Sequence, residues 1–98
     1  MQRYKLSRKA QDDLEKIIEY SASSFGVKQA RLYASQIQQS IQIASEFPKT
    51  GRQYSTKNEH LFRQYNCGRH AIFYAERSEH IFVVRILHLR MDIENHLE

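Results

Sequence analysis

Cysteine is nearly missing from this chain. Only Cys67 occurs in 98 residues, so no intrachain disulfide can form and a reducing cytoplasm is the natural compartment. Proline occurs once and glycine three times, and no stretch reads as a linker, a repeat or a low-complexity tract. No apolar run approaches the length of a membrane span. The first residues hold no apolar core of signal-peptide length. The expectation is a cytoplasmic protein with no membrane association. Chemistry-bearing patterns are equally sparse. His60, His70, His80, His88 and His96 form no metal-site spacing with Cys67 or a carboxylate. There is no Gly-rich phosphate loop, no nucleophile beside a base, and no carboxylate pair with a clear role. Cys67 sits in a turn with no helix N-terminus behind it, which leaves its thiol unactivated. No metal and no cofactor are expected.

What is present is an ordinary globular balance, with 41% hydrophobic and 27% charged residues. The length supports one domain over residues 1–98 with one core. Fifteen Lys and Arg stand against eleven Asp and Glu, a net charge of +4 that favours acidic partners, nucleic acid or protein. The charge is uneven. Asp12, Asp13, Glu15 and Glu19 sit early, whereas residues 49–90 are mostly basic. The mean hydropathy of −0.68 leaves little room for apolar surface unless something covers it.

Residues 3–7 alternate polar and apolar, with Tyr4 and Leu6 on one face, and predict a short strand. Ser7 is placed to cap a helix in which Ala10, Leu14, Ile17, Ile18, Ser21, Ala22 and Phe25 recur at helical spacing. Gly26 supplies the stop. A second helix carries Ala30, Tyr33, Ala34, Ile37, Ile41 and Ala44 on its buried stripe and ends at Phe47, because the residue before Pro48 avoids helical angles. The short connection makes the pair an antiparallel helical hairpin. Residues 49–58 read as a basic loop. Strands follow at about 59–65, 69–76 and 80–88, with a reversal at Asn66, Cys67 and Gly68. A short helix near 91–97 closes the chain. The fold class is therefore α+β: an N-terminal strand and a helical hairpin packed on an antiparallel sheet with a three-stranded C-terminal meander, then a short C-terminal helix.

In the last strand, strict alternation sends Phe82, Val84, Ile86 and His88 one way and Ile81, Val83, Arg85 and Leu87 the other. Both faces are apolar, so both need cover. The hairpin covers one. Either a partner protein covers the other, or the C-terminal helix and the 49–58 loop fold back over it. Arg63 and Arg85 lie mid-strand, where a guanidinium snorkels, meets a structural carboxylate or grips an anion. Antiparallel pairing would let the two share one concave surface. Arg90 stands just beyond the last strand. His88, on the core-like face, reads as a hydrogen-bonded structural histidine.

At this point the order of elements resembles the RelE/ParE toxin superfamily. The resemblance is carried by Leu6, Ser7, Arg8, Lys9 and Ala10 with Asp13, Leu14 and Ile17; by Phe25 and Gly26 with Ala30 and Tyr33; by Phe47 and Pro48 with Gly51; and by Ile72, Phe73 and Tyr74. The most specific stretch is Arg85, Ile86, Leu87 and His88 followed by Arg90, Met91 and Asp92, which looks like a ParE signature. The ParE branch implies a toxin that inhibits DNA gyrase, arrests growth and is neutralised by a ParD-like antitoxin in a hetero-oligomer. It implies no enzyme and no direct sequence-specific nucleic-acid binding by the toxin alone. The RelE branch implies instead a ribosome-dependent mRNA endoribonuclease, for which Arg90 and His96 fall at matching positions. A key arginine of that pattern falls on Ala71. Its loss would remove about 3–4 kcal/mol of transition-state stabilisation. Arg69, two residues away, is the nearest substitute. The reading therefore expects Arg63, Arg85, His88, Arg90 and Met91 to contact the target, and Leu14, Ile18, Leu32, Ile81 and Val83 to contact the antitoxin.

Overall fold

The computed structural model describes residues 3–97. Strand β1 spans Tyr4–Leu6, helix α1 Arg8–Phe25 and helix α2 Val27–Glu46. A 3-10 turn at Pro48–Thr50 leads to β2, Arg52–Ser55. Strands β3 (Leu61–Cys67), β4 (His70–Glu76) and β5 (Ile81–His88) follow, and helix α3 spans Ile93–Leu97. The sheet order is β1-β5-β4-β3-β2.

Ser7 caps α1 as the sequence suggests: its Oγ accepts the Ala10 N–H at 3.0 Å and donates to Val84 O at 2.7 Å. One side chain thus starts the helix and ties it to β5, using a helix donor that has no intrahelical acceptor. Gly26, at φ +92°, is the whole connection between α1 and α2. A residue with a Cβ is strained there, which is why the hairpin turns at a glycine.

Three features differ from the expected fold. The sheet is mixed, because β1 runs parallel to β5 while β2 to β5 pair antiparallel. The 49–58 segment contains a strand: β2 pairs with β3 in the register Arg52 to Gln64 through Ser55 to Leu61, so the meander has four strands. The strict alternation in β5 also fails. Phe73 pairs with Arg85, but its neighbour Tyr74 pairs with Val83, leaving Val84 as the extra residue of a β-bulge. Ile81, Val83 and Ile86 therefore share the inner face, with Leu87 and Val84 on the outer cluster.

The hairpin covers the inner face. Ile37, Ile41, Ile72, Tyr74, Ile81, Val83 and Ile86 form the core there, each at most 2% exposed. The outer face carries a smaller cluster of Ala71, Phe73 and Leu87, covered by Tyr54 and Val84 from the sheet and by Ile93 and Leu97 from α3. The chain's own last helix, with Tyr54 of the former "loop", provides the cover for this outer cluster.

Candidate functional site

β1 ends at Leu6, so it pairs with β5 only through Val83. Beyond that point the β5 edge faces α1. Asp13 closes part of it. Its Oδ2 accepts from Arg85 Nε at 2.8 Å and from the Ile86 N–H at 3.0 Å, while Oδ1 accepts from Arg85 Nη2 at 2.8 Å. The arrangement is a two-point guanidinium–carboxylate pair that also satisfies a strand-edge amide. The Asp13 bond holds the Arg85 pKa above its ordinary value. The bulge at Val84 gives Arg85 a further reach: its Nη1 donates to His96 O at 3.1 Å. One residue thus connects α1, β5 and α3.

Past this clamp, α1 and the end of β5 diverge to form a groove of about 720 Å³. Ile17, Tyr20 and Phe25 line the α1 side, Tyr33 and Gln29 the α2 side, and Ile86, His88, Arg90 and Met91 the strand exit, with Gly68, Arg69 and His70 at the β3–β4 turn. Tyr20 and Phe25 are 68% and 64% exposed, which is unusual for aromatic side chains in a folded chain.

The floor is a polar cluster. The Tyr33 hydroxyl lies 2.6 Å from His70 Nδ1, 3.1 Å from Cys67 O and 3.3 Å from the Arg69 N–H. A hydroxyl has one hydrogen and two lone pairs. All three contacts are satisfied when it donates to Cys67 O and accepts from Arg69 N–H and from His70 Nδ1–H. Burial, and then the neighbouring His88, pushes the His70 pKa below its ordinary 6.5, so that ring is neutral at pH 7. Burial raises the Tyr33 phenol, which keeps its hydrogen. The His70 and His88 rings meet edge-on at 5.2 Å. His88 Nδ1 accepts the Arg90 N–H at 3.0 Å, which fixes the backbone where the strand leaves the sheet. Gly68 sits at φ +57°, and a Cβ there would lie 2.9 Å from the Tyr33 hydroxyl, so the turn needs glycine for both angle and space.

The expected site residues divide. His88, Arg90 and Met91 come together on the groove. Arg63 does not join them. Its Nη1 donates to Gly51 O at 2.7 Å and its Nε lies 3.6 Å from Glu76, two strands away from β5. The shared concave surface for Arg63 and Arg85 is therefore absent: β4 lies between their strands, and the two guanidinium groups bind different partners. Ile81 and Val83, expected to meet a partner, are 1% and 0% exposed beneath the hairpin and offer no surface. Leu14 packs on the same core and Ile18 is half-buried; Leu32 is exposed at 52%. Of the ribonuclease pair, Arg90 lines the groove and His96 does not. His96 Nδ1 lies 2.8 Å from Asp92 O within its own helical turn. Ala71 is fully buried in the outer cluster.

Sequence reasoning missed Asp13, Tyr33 and His70 as organisers. Asp13 left a signal: it lies three residues after Ala10 and four before Ile17, an acid on the apolar stripe of α1. Among the described residues no group of three or more His, Cys, Asp and Glu is placed to hold a metal, and no helix is long and apolar enough to cross a membrane.

Comparison with known proteins agrees with this architecture. A solved structure, the chromosomal ParDE TA system from P. aeruginosa, superposes with a TM-score of 0.73 over 92% of this chain and 98% of that one, at 17% identity; that likeness concerns the fold. Toxin ParE1 of Caulobacter vibrioides is 35% identical over 99% of both chains. Toxin ParE1 of Mycobacterium tuberculosis is 38% identical over 97% of both. Residues 4–93 match the family model for the ParE toxin of the type II toxin–antitoxin system, parDE. The chain belongs to the ParE toxin family of type II toxin–antitoxin systems.

Proposed function

We propose that this ParE-family toxin acts in the cytoplasm as a protein inhibitor of DNA gyrase, without enzymatic activity of its own, and that a cognate ParD-like antitoxin keeps it silent. The observation that carries the choice of target over mRNA cleavage is Ala71. The ribonuclease pattern needs a cation there, and Ala71 is 0% exposed, packed with Phe73 and Leu87 under α3. An arginine at that position would have to evict the helix, and burying its charge unpaired is costly. Arg85, the mid-strand cation nearest in type, is already consumed by Asp13 at 2.8 Å. His96, the acid/base candidate, lies off the groove that holds Arg90. The target surface on this reading is the strand exit: His88, Arg90 and Met91, with Arg63 and Arg85 supporting the scaffold.

Induction of the chain without antitoxin tests the reading in cells. Gyrase poisoning should produce cleaved chromosomal DNA with intact messages. Codon-positioned cuts in mRNA by primer extension, lost in an Arg69→Ala, Arg90→Ala double variant, would replace it with the ribosomal reading.

A further inference from the structure

Arg90 and Met91 belong to the target surface proposed above, and with Leu89 they form the turn by which the chain leaves β5. All three are exposed. Burial therefore does not fix this turn, and exposed turns are ordinarily the mobile part of a fold. Here every backbone N–H of the turn has a protein acceptor. Leu89 N–H donates to Arg69 O at 2.9 Å, Arg90 N–H to His88 Nδ1 at 3.0 Å and Met91 N–H to His88 O at 3.0 Å. Two of these attachments are held in turn by one hydroxyl on α2. Tyr33 Oη donates to Cys67 O at 3.1 Å and accepts the Arg69 N–H at 3.3 Å, so it fixes the β3–β4 turn whose Arg69 carbonyl holds Leu89. The same oxygen lies 2.6 Å from His70 Nδ1, and the His70 ring meets the His88 ring edge-on at 5.2 Å. The Tyr33 ring is itself anchored against the core.

We propose that Tyr33 is a positioning residue for the target surface: through Arg69 and through the His70–His88 ring pair, its hydroxyl holds the turn after β5 in the geometry that presents Arg90 and Met91. The inference rests on the gyrase reading above and gives that surface its supporting frame. Within the frame the His88 ring works as a backbone acceptor. Its Nδ1 takes the N–H two residues on, as the side-chain oxygen of an asparagine does in an Asx turn. A turn held beforehand in its bound shape loses less conformational freedom on binding than a free one. Affinity for the target should therefore follow a hydroxyl that sits on a different element from the contacting side chains. A hydroxyl that served stability alone would lower the melting temperature and leave inhibition by the folded chain unchanged.

Inhibition of gyrase supercoiling by the purified, antitoxin-free chain, read beside amide hydrogen exchange by NMR, tests this. Tyr33→Phe keeps the ring on the core and removes only the hydroxyl. Its Leu89 amide should exchange about tenfold faster, and half-inhibition should need about tenfold more protein. The amides of Ile72 and Tyr74, both fully buried, should keep the parent's protection. In an Arg90→Ala background the same Tyr33→Phe change should add at most about a twofold loss, because a side chain it positions is gone. His88→Phe should lose inhibition as Tyr33→Phe does, and His88→Asn should recover it to within about threefold of the parent, its oxygen accepting the Arg90 N–H. Parent-like inhibition by Tyr33→Phe, unchanged Leu89 protection, or a fully additive loss with Arg90→Ala would overturn the positioning role and leave the gyrase reading intact. Equal losses in His88→Phe and His88→Asn would overturn the acceptor role of His88 and assign its ring a direct contact with the target. A parent chain that leaves supercoiling untouched would overturn the gyrase reading and the positioning role together.

Discussion

Asp13 accepts three hydrogen bonds and leaves no carboxylate oxygen idle. With side-chain exposures of 13% for Asp13 and 17% for Arg85, the pair is largely shielded from water, and its loss costs more than a surface ion pair. Asp13→Ala strands both the guanidinium and the Ile86 amide, and urea unfolding should show a loss of about 2–4 kcal/mol. Arg85→Lys should not preserve stability, because one ammonium cannot make the two-point contact and also reach His96 O. His70 sets a pH dependence. Its folded pKa lies below its ordinary 6.5 because burial, then His88, disfavours the charged ring. The unfolded chain then binds the proton more readily, so stability is held above about 6.5 and falls as the pH drops below it. His70→Gln should flatten the melting-temperature profile between about pH 5 and 7 relative to the parent. Neither effect was legible from residue type alone. Asp12, Asp13, Glu15 and Glu19 registered only as acids placed early in the chain, and His70 as one of five histidines without a metal-site spacing.

At the scale of elements, the corner from the 3-10 turn into β2 depends on Gly51. Its angles are ordinary, φ −71° and ψ 144°; space is the constraint. A Cβ would run into the Tyr74 hydroxyl and lie 2.9 Å from the ring carbon bearing it. That hydroxyl donates to Pro48 O at 2.6 Å and accepts the Gly51 N–H at 3.1 Å, and Tyr74 is fully buried. Gly51→Ala should therefore cost about 1–3 kcal/mol by overpacking, read as a lower denaturation midpoint with the fold retained. Periodicity made the hairpin, β3, β4 and β5 readable, since each buries a stripe or a face. It could not reveal β2. Arg52, Gln53 and Ser55 are exposed, so this edge strand exists through pairing with β3 and leaves no burial pattern in the sequence. The bulge was hidden for the opposite reason. Phe82, Val83 and Val84 are all apolar, so no polar residue marks where the alternation slips, and the strict alternation put Val83 on one face with Leu87 although Val83 lies in the inner core and Leu87 in the outer cluster.

Across the whole molecule, two layers of helix sandwich one sheet, and the thinner layer is only α3. Its attachments are few: Ile93 and Leu97 on Phe73 and Leu87, the Glu94 carboxylate, which accepts from Tyr54 Oη at 3.1 Å and from the Lys57 N–H at 2.5 Å, and Arg85 on His96 O. A chain ending at Asp92 should lose about 2–4 kcal/mol of buried apolar contact and should bind a hydrophobic dye through the uncovered Phe73 face. The inner layer should keep the sheet folded, as circular dichroism would show. The sequence announced two apolar sheet faces but could not say what covers the outer one, because five helical residues carry too short a period to place. The central claim, however, concerns what the molecule does to its target. The most direct test adds the purified, antitoxin-free chain to DNA gyrase with relaxed plasmid and ATP, and resolves the products with and without protease. Loss of supercoiling with accumulation of linear, protein-linked DNA is the expected result. Undiminished supercoiling, from a preparation that still arrests growth in cells, would contradict it.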